Sequence, residues 1–164
     1  MTNIKKILVG IDYSEYSREA ARTAVAMARS LNAEVIFLHV CEIPAFLGSS
    51  WGTYNRPLLS NFLSRQDELM EGSGRELSEF AREFSDEGVD ITERVEKGYP
   101  FMETMRVAEE ECVDLIALGT HGKSGMKQIL IGSVAEKIVR KAPCSVLVVK
   151  MPSLCVQEDD QGDE

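Results

Sequence analysis

At 164 residues, 44% hydrophobic and 27% charged, the chain can bury one substantial core and has no need of a second domain. Its 27 acidic and 18 basic side chains give a net charge of −9, which argues against nucleic acid or an anionic membrane as the main partner. No stretch approaches the roughly 18 apolar residues of a membrane span, no signal-peptide core follows Lys5 and Lys6, and the expected location is the cytoplasm.

Strand and helix patterns alternate along the chain. Residues 4–12 (IKKILVGID) read as a buried strand, and 14–31 as a helix with Ala20, Ala21, Ala24, Val25, Ala28 and Leu31 on one face and Ser14 or Ser17 as its cap. Residues 33–42 (AEVIFLHVCE) form a second strand, too continuously apolar to be solvated on either side. An irregular stretch follows over 43–57, punctuated by Pro44, Gly48, Gly52 and Pro57 and carrying Trp51 and Tyr54.

The pattern then predicts a long helix over 58–85, weakened in its middle by Gly72 and Gly74 at about 1 kcal/mol each. Residues 89–97 alternate, with Val89, Ile91 and Val95 on one side and charges on the other, as a half-exposed edge strand does. A helix over 99–111, a strand over 114–118, a helix over 133–141 and a strand over 144–150 complete the series. Five strands alternating with helices predict a three-layer α/β fold around a parallel sheet. Residues 151–164, with five acids and no base, are expected to be a disordered tail beyond a domain spanning 1–150.

Within this frame the most informative segment is Gly119-Thr120-His121-Gly122, followed after nine residues by Gly132-Ser133. The glycines lie between a strand and a helix. There, backbone N–H groups can approach an anion closely, and the first helical turn offers unpaired donors at the positive end of its dipole. From Thr120 to Lys150 six bases (Lys123, Lys127, Lys137, Arg140, Lys141 and Lys150) stand against one acid, Glu136, so the segment would attract a small anion although the chain as a whole is acidic. Ser133-Val134-Ala135-Glu136 also reads as a capping box, in which the serine serves its own helix. The four cysteines, Cys41, Cys112, Cys144 and Cys155, lack paired or metal-ligand spacing, and with two histidines in the chain a zinc site is not expected.

The G-x2-G-x9-G-S spacing, the helix beginning at Val134 and the strand Pro143 to Val149 closely resemble the universal stress protein family in its ATP-binding branch. The resemblance extends to Ile7-Leu8-Val9-Gly10-Ile11-Asp12-Tyr13-Ser14 and to the order of elements from residue 4 to residue 150. It implies a doubly wound, Rossmann-like sheet of the adenine nucleotide alpha hydrolase-like type, with strand order 3-2-1-4-5. It further implies a homodimer formed through the last strand, residues 144–150, whose apolar edge would otherwise invite aggregation. The ligand implied is ATP, ADP or AMP, with Mg²⁺ or Mn²⁺.

By the same resemblance, Ile11 and Asp12 end the first strand at the nucleoside, and Asp12 is the candidate metal ligand. Val40 lies where backbone meets adenine, Leu118, Gly119, His121 and Gly122 approach ribose and phosphates, and Gly132, Ser133 and Val134 receive the outer phosphates. Plain structural roles compete at each place: a turn aspartate at Asp12, sheet core at Val40, a tight turn at the glycines and loop solvation at Lys123 and Lys127.

Two rival motifs fit less well. Residues 117–124 differ from a Walker P-loop in having Ala117 at the first position, but Gly125 interrupts the helix such a loop requires, and no later strand carries a metal-binding aspartate. A receiver domain would need a phosphoacceptor aspartate where the third strand ends in Lys97-Gly98. The expected function is a nucleotide-dependent, dimeric stress-response switch. A slow ATPase or phosphotransferase, and an interaction module holding AMP or no ligand, are the alternatives.

Overall fold

The computed structural model describes residues 3–42, 64–121 and 131–151. In chain order they form β1 (Lys6–Ile11), α1 (Glu15–Leu31), β2 (Glu34–Glu42), α2 (Gln66–Arg82), a 3-10 turn (Ser85–Glu87), β3 (Ile91–Gly98), α3 (Pro100–Glu110), β4 (Leu115–Gly119), α4 (Ser133–Lys141) and β5 (Ser145–Val149). The five strands make one parallel sheet in the order β3-β2-β1-β4-β5, as the resemblance implied. The glycine-interrupted helix expected over 58–85 is present as α2 in its described part, and its start lies outside the described residues, as do the 43–57 stretch and the acidic tail from 152.

Alternation along the strands sends apolar side chains to both faces, so the sheet needs helices on each side. Ile7, Val9, Ile11, Val35, Phe37, Leu115 and Ala117 pack under α1 and α2, where Ala20, Ala21, Ala24 and Ala28 let α1 lie close to the strands. Phe37 meets Phe80 and Phe84 in edge-on contacts at 5.6 and 5.4 Å, which fixes the C-terminal half of α2 over β2. On the opposite face Leu8, Ile36, Leu38, Ile116 and Leu118 pack under α3 and α4 through Val107, Ala108, Ala135 and Ile138. A Cβ at Gly10 would sit 2.9 Å from Leu118 Cδ2, so glycine keeps β1 and β4 in close register there.

The two edges of the sheet differ. Val89, Ile91 and Val95 turn toward the α1 and α2 face as the alternation predicts. The other side of β3 carries an ion-pair network: Arg94 reaches Glu96 at 2.5 Å and Glu111 at 2.8 Å, and Arg106 of α3 reaches Glu96 and Glu110 at 2.6 Å and Glu103 at 2.8 Å. The hydrogen bond from Arg106 holds the Glu110 carboxyl below its ordinary value. At the other edge β5 presents half-buried Val146, Leu147 and Val148 and no charged side chain between Ser145 and Val149. Among the described residues no helix is long and apolar enough to cross a membrane.

Candidate functional site

β1 and β4 are neighbours, paired Ile7 to Leu115, Leu8 to Ile116 and Val9 to Ala117. From β1 the chain turns into α1 on one face, whereas after β4 it reaches α4 on the other. The carboxyl ends of these two strands therefore bound a crevice at the point where chain direction reverses, the usual ligand position in a doubly wound sheet. Asp12 follows one strand end and Gly119 closes the other, so the topology puts them at the same crevice.

The turn from β1 into α1 is held by its own side chains. Asp12 Oδ1 accepts from the Ser14 N–H at 3.0 Å and the Ser14 hydroxyl at 2.6 Å. Ser14 in turn caps α1, its Oγ accepting from the Ser17 N–H at 3.2 Å. Of the two serines that could cap this helix, Ser14 does so, while the Ser17 hydroxyl bonds back to the Ser14 carbonyl at 3.0 Å. Asp12 thus has a turn role whatever else it binds. Between them Tyr13 takes a φ of +62°, a backbone conformation that costs a bulky residue about 1 to 3 kcal/mol unless its surroundings enforce it.

Those surroundings include residues not singled out by motif. The Tyr13 ring lies 4.7 Å from the His39 ring and 6.0 Å from Phe80, and His39 Nδ1 is 2.8 Å from the Ile11 carbonyl oxygen. Burial raises the Tyr13 hydroxyl well above its ordinary pKa, with the Glu76 charge adding to the effect. The available signal for His39 was its place in a parallel strand, directly opposite Ile11.

At the end of β4, a Cβ on Gly119 would stand 2.7 Å from the backbone carbon and the Cβ of Tyr16. The first turn of α1 therefore presses directly on this glycine, and close helix packing by itself requires glycine there. The Thr120 N–H then donates to the Val149 carbonyl at 3.0 Å, and the Thr120 carbonyl accepts from the Gly132 N–H at 2.6 Å. These two bonds tie the β4 end to the β5 end and to the start of α4. His121 lies with its ring 5.0 Å from Tyr16 and Nδ1 3.1 Å from Thr120 Oγ1. Gly122, Lys123 and Lys127 lie outside the described residues.

The start of α4 corrects the capping-box reading. Gly132 is the N-cap, with φ −68° and ψ 153°, and its carbonyl accepts from the Glu136 N–H at 2.9 Å. Ser133 is the first helical residue, one position too far along to serve as a box cap, and the N-cap glycine has no side chain to serve in its place. Glu136 instead reaches Arg140 at 3.1 Å. The first-turn N–H groups of α4, beginning at Ser133 and Val134, have no intrahelical acceptor. Glu136 lies in its first turn and basic Arg140 and Lys141 in its last, each sign at the favourable end of the helix dipole.

The other predicted contacts are backbone positions. Ile11 and Leu118 bury their side chains in opposite cores, and Val40 of β2, paired with Glu96 of β3, packs against the core under α3 and α4. Among the described residues no three His, Cys, Asp or Glu side chains gather as a metal site. A single carboxylate at Asp12 suits an ion held chiefly by phosphates and water, as magnesium commonly is, rather than a protein-built cage.

The sequence pattern of the universal stress protein family matches residues 3–150. Universal stress protein MJ0531 of Methanocaldococcus jannaschii is 37% identical over 153 residues, covering 90% of this chain and 83% of its own. MJ0577 from the same organism is 32% identical over 155 residues, covering 89% and 94%; its solved structure superposes with a TM-score of 0.69 over 92% of this chain and 99% of that one. A universal stress protein crystallised in complex with cAMP is 25% identical, with a TM-score of 0.63 over 90% of this chain and 97% of that one. Pattern, relatives, strand order and the glycine-spaced strand-to-helix segment agree: the chain belongs to the universal stress protein family.

Proposed function

We propose that the chain binds an adenine nucleotide, ATP with ADP or AMP as the alternatives, in the crevice outside β1 and β4, and acts as a nucleotide-dependent switch in the stress response. The observation that carries this reading is the start of α4, whose N-cap, Gly132, has no side chain and is tied to the β4 end through the Thr120 carbonyl. Glycine at the cap gives the outer phosphates direct access to backbone donors at the positive helix end. The Gly132, Ser133 and Val134 segment would receive those phosphates, and Leu118, Gly119, His121 and Gly122 would follow the inner phosphates and ribose.

Ile11, Asp12 and Val40 would line the nucleoside side, and a Mg²⁺ or Mn²⁺ ion carried by the phosphates would take Asp12 as its protein ligand. The relative crystallised with cAMP supports an adenine nucleotide as the ligand class. We further assign residues 1–150 to the nucleotide-binding domain, 151–164 to an acidic extension, and the cytoplasm as the location. The apolar β5 strand supports a homodimer formed through that edge.

Titration calorimetry of the purified protein with ATP, GTP, AMP and inorganic phosphate tests the reading. ATP is expected to bind more tightly than GTP or phosphate. ATP binding no better than GTP or phosphate would overturn it.

A further inference from the structure

Both histidines of the chain lie against tyrosines of one short segment, the β1 to α1 turn and the first turn of α1. His121 meets Tyr16 from the loop after β4, and His39 meets Tyr13 from within the sheet. The His39 contact is the more constraining because it grips the turn at two points. Its Nδ1 lies 2.8 Å from the Ile11 carbonyl, at the last paired residue of β1, and its ring lies 4.7 Å from the ring of the next residue but one, Tyr13. A carbonyl oxygen only accepts, so Nδ1 carries the proton and the imidazole has a fixed orientation.

Tyr13 needs such support. Its positive φ is uncommon for an aromatic residue and persists only where the surroundings over-determine it. That bend sets the direction in which Asp12 leaves β1 and returns through Ser14, whose N–H and hydroxyl both hold the Asp12 carboxylate. A hydrophobic residue at 39 would still fill the core, yet it would release the Ile11 carbonyl.

We propose that His39 is a positioning residue for the nucleotide: by holding the Ile11 carbonyl and the Tyr13 ring together it fixes the turn that presents Asp12 to the ligand. It touches no ligand itself. The inference rests on the nucleotide reading above, but its structural half can be measured without any nucleotide.

Three variants separate donor from ring. His39→Asn keeps an amide N–H near the Nδ1 position, His39→Phe keeps a ring without a donor, and His39→Ala removes both. In calorimetry with ATP, His39→Asn is expected to stay within about three-fold of the unsubstituted protein, and His39→Phe to bind about ten-fold more weakly, the effect of one lost hydrogen bond. Urea unfolding of each variant shows that the protein titrated is folded, since a purely structural role would lower stability and leave the affinity of the folded protein unchanged. Nitrogen-15 spectra of ligand-free protein should show His39 protonated at Nδ1.

ATP affinity of His39→Phe equal to that of the unsubstituted protein, or a His39 proton on Nε2, would overturn the proposal. Failure of the unsubstituted protein to bind ATP would instead overturn the nucleotide reading, and the His39 nitrogen spectrum would still decide how the turn is held.

Discussion

Of the helices that begin at the carboxyl ends of the parallel strands, α1 and α4 follow β1 and β4, the two strands that bound the crevice, and their N-termini are finished differently. α1 is closed by side chains: Ser14 caps it, and Asp12 holds Ser14. α4 begins at a glycine, which has no side chain to cap it, and among the described residues its start is tied to Thr120 by one backbone bond. A helix end needs partners for its first N–H groups, so the contrast assigns different jobs to the two ends. Under the proposed reading the first builds the wall of the crevice, and the second would take its acceptor from the ligand.

That contrast can be broken most severely at Gly132. Replacing it with aspartate gives α4 its own cap, which changes stability by only a few tenths of a kcal/mol, but sets a carboxylate where the outer phosphates would bind. ATP affinity should fall about 100-fold or more by calorimetry while the urea midpoint barely moves; the magnitude reflects the loss of helix-end donors together with like-charge repulsion. Equal losses of stability and binding would show that the two helix ends are not functionally distinct.

Gly119→Ala tests the first end. Its new Cβ would meet the Tyr16 backbone at 2.7 Å, and α1 must shift, so unfolding should cost about 1 to 3 kcal/mol less than in the unsubstituted protein. Ser14→Ala removes the α1 cap and should destabilise by about 1 kcal/mol in urea, with ATP affinity falling less than for Gly132→Asp. Ser133→Ala is the mildest change. Because Ser133 caps nothing, stability should stay within about 0.5 kcal/mol, and any loss of ATP affinity should be confined to about three-fold, the loss of one hydroxyl contact.

The continuous apolar runs at Ile7 to Val9 and Val35 to Leu38 were legible as buried strands because burial on both faces leaves no polar alternation. Strand order was not contained in that pattern and came from the family resemblance. The glycine spacing located the strand-to-helix segment, yet it did not separate two uses of glycine. At 119 the residue makes room for Tyr16 of a helix more than a hundred residues away in sequence, a contact no local spacing encodes. At 132 it caps a helix, and the neighbouring Ser133-x-x-Glu136 misleads because a capping box depends on register, which shifts by one residue here. His39 escaped notice for a related reason: its bond to Ile11 is set by strand pairing across 28 positions.

The unlike edges of the sheet bear on how many copies can join. Along β3, Arg94 and Glu96 lock with α3 into a charged rim that a second strand would have to dehydrate before pairing. β5 carries no such rim. A sheet open on one side can accept one neighbour and, if that neighbour uses the same side, the pair has no open edge left to extend. If the proposed assembly uses β5, it would therefore terminate at two copies rather than grow into a fibre, with the charges on β3 setting that number.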